Sequence, residues 1–224
     1  MATRILLVRH GATVLTAEDR FAGATDVALS DEGREQASAL AVRLSGEKVA
    51  AVYASPLTRT MDTARILGAP HELAPVPIDG LREINHGRWE GRTRAEIAAE
   101  LSDEYAAWEA DPFTFAPVGG EAGIAVMARA LPAVRDIVVR HPDSMVVVVS
   151  HKATIRLVLA SYLGIDARGY RDRLDQAPAC LNVLDFKDSV RARLMLFNDT
   201  SHYASWPRRV GASLSSWWDE PKKP

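Results

Sequence analysis

Residues 5–8, Ile-Leu-Leu-Val, are apolar with no alternation. A strand with one wet face alternates apolar and polar residues. This run predicts burial on both faces, as at the centre of a parallel sheet. It stops at Arg9, His10 and Gly11. A guanidinium and an imidazole therefore stand where a buried strand ends, and ligands of open α/β sheets bind just outside the carboxyl ends of strands. Gly11 permits a sharp turn and close approach of backbone to a ligand. Residues 145–149 repeat the design and are followed by Ser150-His151. Either histidine alone reads equally well as a loop-start residue. The repeated context points to one sheet edge that receives both.

The stretches between these two runs read as alternating helices and short strands. A polar loop over 12–29 carries Thr13, Thr16, Arg20, Phe21, Gly23 and Asp26. Ser30 can cap a helix with Asp31 and Glu32 in its first turn, and Ala37, Leu40, Ala41 and Leu44 recur at helical spacing. Residues 49–54 form an unalternated short strand. Ser55-Pro56-Leu57 then opens a helix with Arg59 in its first turn, where free backbone N–H groups favour anions. A short edge strand is expected at 75–78. Residues 95–128 hold no lysine or arginine but seven acidic residues, with Tyr105, Trp108, Phe113 and Phe115. That composition predicts one or two helices and an irregular loop, a cap-like insertion at about 92–120. A long helix is expected over 121–140 despite Pro132, a further helix over 154–163 ended by Gly164, and a hairpin of strands at 181–186 and 191–197. The expected architecture is an α/β domain built on buried parallel strands. Residues 1–204 form one domain, and 205–224 a C-terminal tail. The tail carries Trp206, Trp217 and Trp218, and at least one of the last two is expected to be buried, because paired exposed indoles are a solubility liability.

A net charge of −2 and a pI near 6.3 argue against general nucleic-acid binding, so any anion site is local. The single cysteine, Cys180, excludes an internal disulfide and reads as a small buried hydrophobe. No apolar run is long enough for a membrane span and no signal-peptide pattern is read, so a cytoplasmic protein is expected, with a homodimer left open.

Several chemistries are missing from the pattern. There is no Gly-x-x-x-x-Gly-Lys-Ser/Thr loop, no Gly-x-Gly-x-x-Gly after a strand, no Gly-x-Ser-x-Gly elbow and no histidine spacing suited to a metal. Neither metal nor cofactor is expected. What remains is Arg9, His10, Arg59, Glu83 and His151, all near strand ends or helix starts. Two arginines suit a phosphate, a histidine is a competent phosphoryl acceptor, and a carboxylate could serve as acid and base. Phosphoryl transfer asks chiefly for positioning and charge stabilisation, which this set could supply.

Arg9-His10-Gly11-Ala12-Thr13 resembles the signature of the histidine phosphatase superfamily, also called phosphoglycerate-mutase-like. The likeness continues through Arg20-Phe21-x-Gly23, Leu29-Ser30-x-x-Gly33-x-x-Gln36-Ala37, Ser55-Pro56-Leu57-x-Arg59-Thr60-x-x-Thr63-Ala64, and Glu83 with Gly87-x-Trp89-Glu90-Gly91. It ends with Gly119-Gly120-Glu121 and Ser150-His151 with Arg156. The resemblance implies a three-layer α/β fold, a mostly parallel central sheet with helices on both faces, and phosphoryl transfer in which His10 becomes phosphohistidine; the reaction expected is metal-independent phosphomonoester hydrolysis. Arg9, Arg59 and His151 would bind the phosphoryl group, and Glu83 would protonate the leaving oxygen and then activate water. Thr13, Thr16, Gly23 and Lys152 are further candidates for binding phosphate or substrate. Three positions depart from the family pattern. Ala12 stands where Glu or Gln is usual, Thr16 where many members have Asn, and Lys152 where Gly commonly follows the second histidine.

Two alternatives bear on function. A phosphoglycerate mutase must hold a second phosphate, and the acidic, lysine- and arginine-free stretch at 95–128 opposes that. A catalytically silent interaction module would normally have lost a histidine or arginine, whereas the full set is present. The partner expected is therefore a small phosphorylated metabolite. His10 must be neutral to attack, and the neighbouring arginines disfavour its imidazolium.

Overall fold

The computed structural model describes residues 2–18 and 20–204. The expectation for Trp217 and Trp218 falls on the tail and lies outside the described residues. Six strands form one sheet: β1 (Thr3–Arg9), β2 (Val49–Ala54), β3 (Val76–Pro77), β4 (Met145–Ser150), β5 (Leu181–Phe186) and β6 (Ala192–Asp199). Their order is β3-β2-β4-β1-β5-β6. The pairs β3–β2, β2–β4 and β4–β1 are parallel, while β5 is antiparallel to β1 and β6 to β5. The mostly parallel sheet thus carries an antiparallel hairpin at one edge. Its turn closes where Lys187 N–H donates to the Arg191 carbonyl at 3.0 Å.

The unalternated strands are buried on both faces because successive side chains enter two different cores. Ile5, Leu7, Val146 and Val148 pack with helices α6 (Gly123–Arg140) and α7 (Lys152–Leu163). Leu6, Val8, Val147 and Val149 pack with α2 (Asp31–Leu44) and α3 (Thr58–Gly68). Fully burying one such side chain contributes about 1.5–3 kcal/mol. These central strands therefore hold the histidine-bearing ends at a fixed height in the sheet.

Local chemistry sets the helix limits. The Ser30 hydroxyl accepts from Gly33 N–H at 3.1 Å and starts α2. Gly164 ends α7 in the left-handed region at φ 66°. Within the loop at 12–29, Thr13 caps a four-residue helix, α1 (Val14–Ala17), that polar composition had hidden. Residues 95–128 give α4 (Arg94–Glu100), opened by a capping box of Thr93 and Glu96, and α5 (Ser102–Ala110), then irregular chain. The long helix starts at Gly123 rather than 121: Ala122 holds the cap position with extended backbone, and Glu121 N–H donates to the Asn85 carbonyl at 2.7 Å. It runs on through Pro132. The helix expected from residue 154 begins at Lys152, since His151 itself occupies the cap position with extended backbone. The edge strand expected at 75–78 is only Val76–Pro77.

Gly11 and Gly33 are where backbone meets backbone. A Cβ at Gly11 would overlap the Gly33 carbonyl, and one at Gly33 would overlap the Ala12 carbonyl. This contact seats the first turn of α2 against the chain leaving β1. Gly46 has open space around its Cβ position. Gly11→Ala should therefore lower unfolding free energy by about 1–3 kcal/mol, while Gly46→Ala should stay within about 0.5 kcal/mol of the parent. Urea denaturation of both variants checks this; equal effects would refute the packing argument.

Candidate active site

Three adjacent parallel strands end together. Arg9 pairs with Ser150 across β1 and β4, and His10 N–H donates to the Ser150 carbonyl at 3.0 Å. One strand further, Ser55 N–H donates to the Val149 carbonyl at 3.0 Å. This rung brings the His10 and His151 rings to 5.2 Å between centroids, inclined at 62°. Both are buried. His10 Nδ1 lies 2.7 Å from the Gly11 carbonyl. A carbonyl only accepts, so Nδ1 carries the proton and Nε2 presents a lone pair. His151 Nε2 is 2.7 Å from Ser55 Oγ, and its buried Nδ1 has no partner among the described residues. Both imidazoles are pushed well below 6.5, by burial first and then by the positive charge of Arg59, with Arg9 adding to it.

Arg9 and Arg59 are buried as well, and neutral acceptors hold them. Arg9 Nη1 donates to the Gln176 carbonyl at 2.7 Å. Arg59 Nη1 and Nη2 donate to the carbonyls of Thr25 and Gly23, both at 2.8 Å. The Nε of each is buried without a partner among the described residues. Among the described residues no carboxylate pairs directly with either guanidinium. Two positive charges are thus immobilised without being neutralised, which is the electrostatic requirement of an anion site.

The chain around 20–26 is itself anchored. Gly23 has φ +47°, and the Glu90 carboxylate accepts from Ala24 N–H at 2.7 Å, from His86 N–H at 3.2 Å and from the Thr25 hydroxyl. Asp26 caps α3, accepting from Thr58 N–H at 2.8 Å and from its hydroxyl at 2.7 Å. The arginine and the loop that holds it therefore share one helix start. Gln176, which holds Arg9, is fixed in turn by Asn182 and Cys180: its amide donates to Asn182 Oδ1 at 3.0 Å, and Cys180 Sγ donates to its Oε1 at 3.1 Å. Burial pushes the Cys180 thiol up to about 12, consistent with a packing role.

Glu83 lies at the first turn of α7. Its Oε1 accepts from Thr154 N–H and the Thr154 hydroxyl, both at 3.1 Å, and from Ile84 N–H at 3.0 Å; Oε2 accepts from Ala153 N–H at 3.1 Å. Its own segment is clamped by Arg129, which donates to the carbonyls of Gly80, Arg82 and Glu83 and pairs with both oxygens of Glu121.

The five principal candidates thus collect around the ends of β1, β2 and β4. The secondary candidates divide. Thr13 Oγ1 accepts from Thr16 N–H at 3.2 Å and lies 3.0 Å from Thr16 Oγ1, so these two residues engage each other. Gly23 spends its carbonyl on Arg59. Lys152 follows His151 directly, and its ammonium lies 3.7 Å from Asp175. Sequence reasoning missed Ser55, Gln176, Glu90 and Arg129 as supports. Ser55 had a usable signal, a hydroxyl at the end of a buried strand, but Pro56 drew it into a reading as helix start.

Residues 5–200 match the family described as the histidine phosphatase superfamily, branch 1. Phosphoserine phosphatase 1 of Hydrogenobacter thermophilus is 32% identical over 163 residues, 73% of this chain and 77% of that protein. Glucosyl-3-phosphoglycerate phosphatase of Mycobacterium tuberculosis is 32% identical over 220 residues, 91% and 98% of the two chains. The solved structure of Bacillus stearothermophilus YhfR superposes with a TM-score of 0.83 at 30% identity, covering 90% of this chain and 99% of that one. The chain belongs to the histidine phosphatase superfamily and falls among its phosphatases.

The depressed histidines carry a sign. Each binds a proton less readily folded than unfolded, so stability is complete above about 6.5 and is lost as pH falls toward the folded-state value, by about 1.4 kcal/mol per pH unit for each histidine. Urea unfolding at about pH 7 and about pH 5.5 should show His151→Gln losing less stability over that interval than the parent. Equal losses would mean His151 is not held below its ordinary value.

Proposed function

We propose that this chain hydrolyses small phosphomonoesters through a phosphohistidine on His10. The observation that carries the reading is the His10 tautomer. Nδ1 is tied to the Gly11 carbonyl, which leaves Nε2 as a neutral nucleophile beside two buried arginines that contact no carboxylate among the described residues. Nε2 forms the bond to phosphorus as the ester oxygen leaves, and Glu83 gives that oxygen its proton. Water then attacks phosphorus, Glu83 takes the water's proton, and the N–P bond breaks. Arg9 and Arg59 neutralise charge on the equatorial oxygens. His151 contributes a donor. Its Nε2 lies 2.7 Å from Ser55 Oγ; with the hydroxyl donating to Nε2, the hydrogen of the ring sits on Nδ1, which has no partner among the described residues.

Residues 92–120 serve in this reading as the cap. Phe21, Trp89, Ile97 and Trp108 form a buried cluster that joins α4 and α5 to the loop bearing Gly23. Its surface is acidic and holds no lysine or arginine over 95–128, which favours hydrolysis over retention of a second phosphate.

p-Nitrophenyl phosphate should be turned over in EDTA, and His10→Ala should abolish both turnover and any acid-labile phosphoenzyme. Failure of the parent in that assay, with no phosphotransfer from bisphosphoglycerate, would favour an interaction module; efficient phosphotransfer would favour a mutase. Glu83→Gln should slow phosphorylation by alkyl phosphates by about 10²–10⁴ while largely sparing aryl phosphates, which leave without a proton. Equal slowing of both substrate types would remove Glu83 as the leaving-group acid.

A further inference from the structure

Ser55 follows the last residue of β2 and is fully buried. Its backbone is held on both sides. The N–H donates to the Val149 carbonyl at the end of β4, at 3.0 Å, and the carbonyl accepts from the Thr60 hydroxyl at 2.9 Å. The side chain is therefore delivered from a fixed strand end, where Oγ meets His151 Nε2 at 2.7 Å. Strand β4 lies between β2 and β1, so Ser55 and His10 flank His151 from opposite strands.

The heavy atoms allow this hydrogen bond to run in either direction, and a count of donors and acceptors separates the two. Burial, and after it Arg59, keeps the His151 ring from taking a second proton, so the ring carries one hydrogen. Suppose that hydrogen were on Nε2 and donated to Ser55 Oγ. The serine hydrogen would then need another acceptor. Among the described residues the one other hydrogen-bonding neighbour of Oγ is the Leu57 N–H, itself a donor, at 3.5 Å. Two buried groups would be left unsatisfied, the serine hydrogen and the lone pair on His151 Nδ1. If Ser55 donates instead, its hydrogen and the Nε2 lone pair satisfy each other. A single group is left over, an N–H on Nδ1, and a phosphoryl oxygen can accept from it. Unsatisfied buried polar groups are costly, so the arrangement with one is favoured over the arrangement with two.

The two histidines are thus anchored by opposite chemistry. The anchor of His10 is a carbonyl, which accepts and leaves the ring presenting a lone pair. The anchor of His151 is a hydroxyl, which donates and leaves the ring presenting an N–H. We infer that Ser55 is a positioning residue for phosphoryl transfer: its hydroxyl fixes His151 in the tautomer that offers Nδ1–H to an oxygen of the transferred group. The inference deepens the reading of His10 as nucleophile and rests on it for the reaction, whereas the tautomer can be read without turnover.

Nitrogen NMR of the parent labelled with ¹⁵N-histidine reads that tautomer. The His151 signals, assigned by their loss in His151→Gln, should show hydrogen on Nδ1 and a bare Nε2; hydrogen on Nε2 overturns the inference. Ser55→Ala should lower kcat for p-nitrophenyl phosphate by about tenfold, the worth of one hydrogen bond. A loss that acts through His151 disappears once the imidazole is gone, whereas a purely structural loss persists. Ser55→Ala should therefore cost less than about twofold in a His151→Ala background. Activity at the parent level in Ser55→Ala, or the same loss in both backgrounds, overturns the inference; if the double variant does not fold, the parent spectrum decides. Should the parent fail to turn over p-nitrophenyl phosphate, the reading of His10 fails and the spectrum still tests the tautomer. Calorimetry with inorganic phosphate then replaces the rate: Ser55→Ala should bind it about tenfold more weakly than the parent, and equal affinities overturn the inference.

Discussion

The hydrogen bond from His10 N–H to the Ser150 carbonyl closes the last rung between β1 and β4, and the site depends on it. Side chains alternate along a strand, so a slip of one residue would exchange the two faces of β1. Arg9 would then leave the α7 side, and the paired imidazoles would separate. The same register brings the end of β2 alongside, so that the Ser55 hydroxyl reaches His151. Hydrophobic burial on both faces holds this register: a slip would push Ile5, Leu6, Leu7 and Val8 into the wrong cores simultaneously.

Among the described residues, charge in this centre is managed without ion pairs at Arg9 and Arg59. Carbonyls from Gln176, Gly23 and Thr25 orient the guanidiniums and leave their charge intact. A carboxylate in those positions would orient them equally well but would compete with a bound anion. The neutrality of His10 follows from the same environment. Burial is the leading cause and the arginines come second, so the pattern of neighbouring charges read from sequence identified the smaller of two effects.

What was legible in the sequence was what is local. Arg9, His10, Ser150 and His151 stand at the ends of unalternated apolar runs, and such runs identify buried strands without knowledge of their partners. Glu83 stands at the end of no buried run; the sequence offered it only as a carboxylate near the other four, and the family resemblance gave it a definite role. The supports were illegible because they act over long separations or through the main chain. Ser55 and His151 are 96 residues apart, Arg9 and Gln176 are 167 apart, and in the second pair the acceptor is a carbonyl that any residue provides. The helix at Val14–Ala17 hid in a polar stretch too short for periodicity. The antiparallel placement of the final hairpin was likewise unreadable, since strand order depends on which edge remains open once the parallel strands have paired.

The unneutralised arginines also reach beyond the reaction. Burying two like charges is a cost the fold carries, and a bound phosphate removes it. A ligand that binds only the folded chain adds RT ln(1 + [L]/Kd) to its stability. On the proposed reading, inorganic phosphate is both the product and a ligand of the folded chain alone, so the unfolding temperature would rise with its concentration. The same pair of guanidiniums would then tie the stability of the fold to the abundance of what the reaction releases.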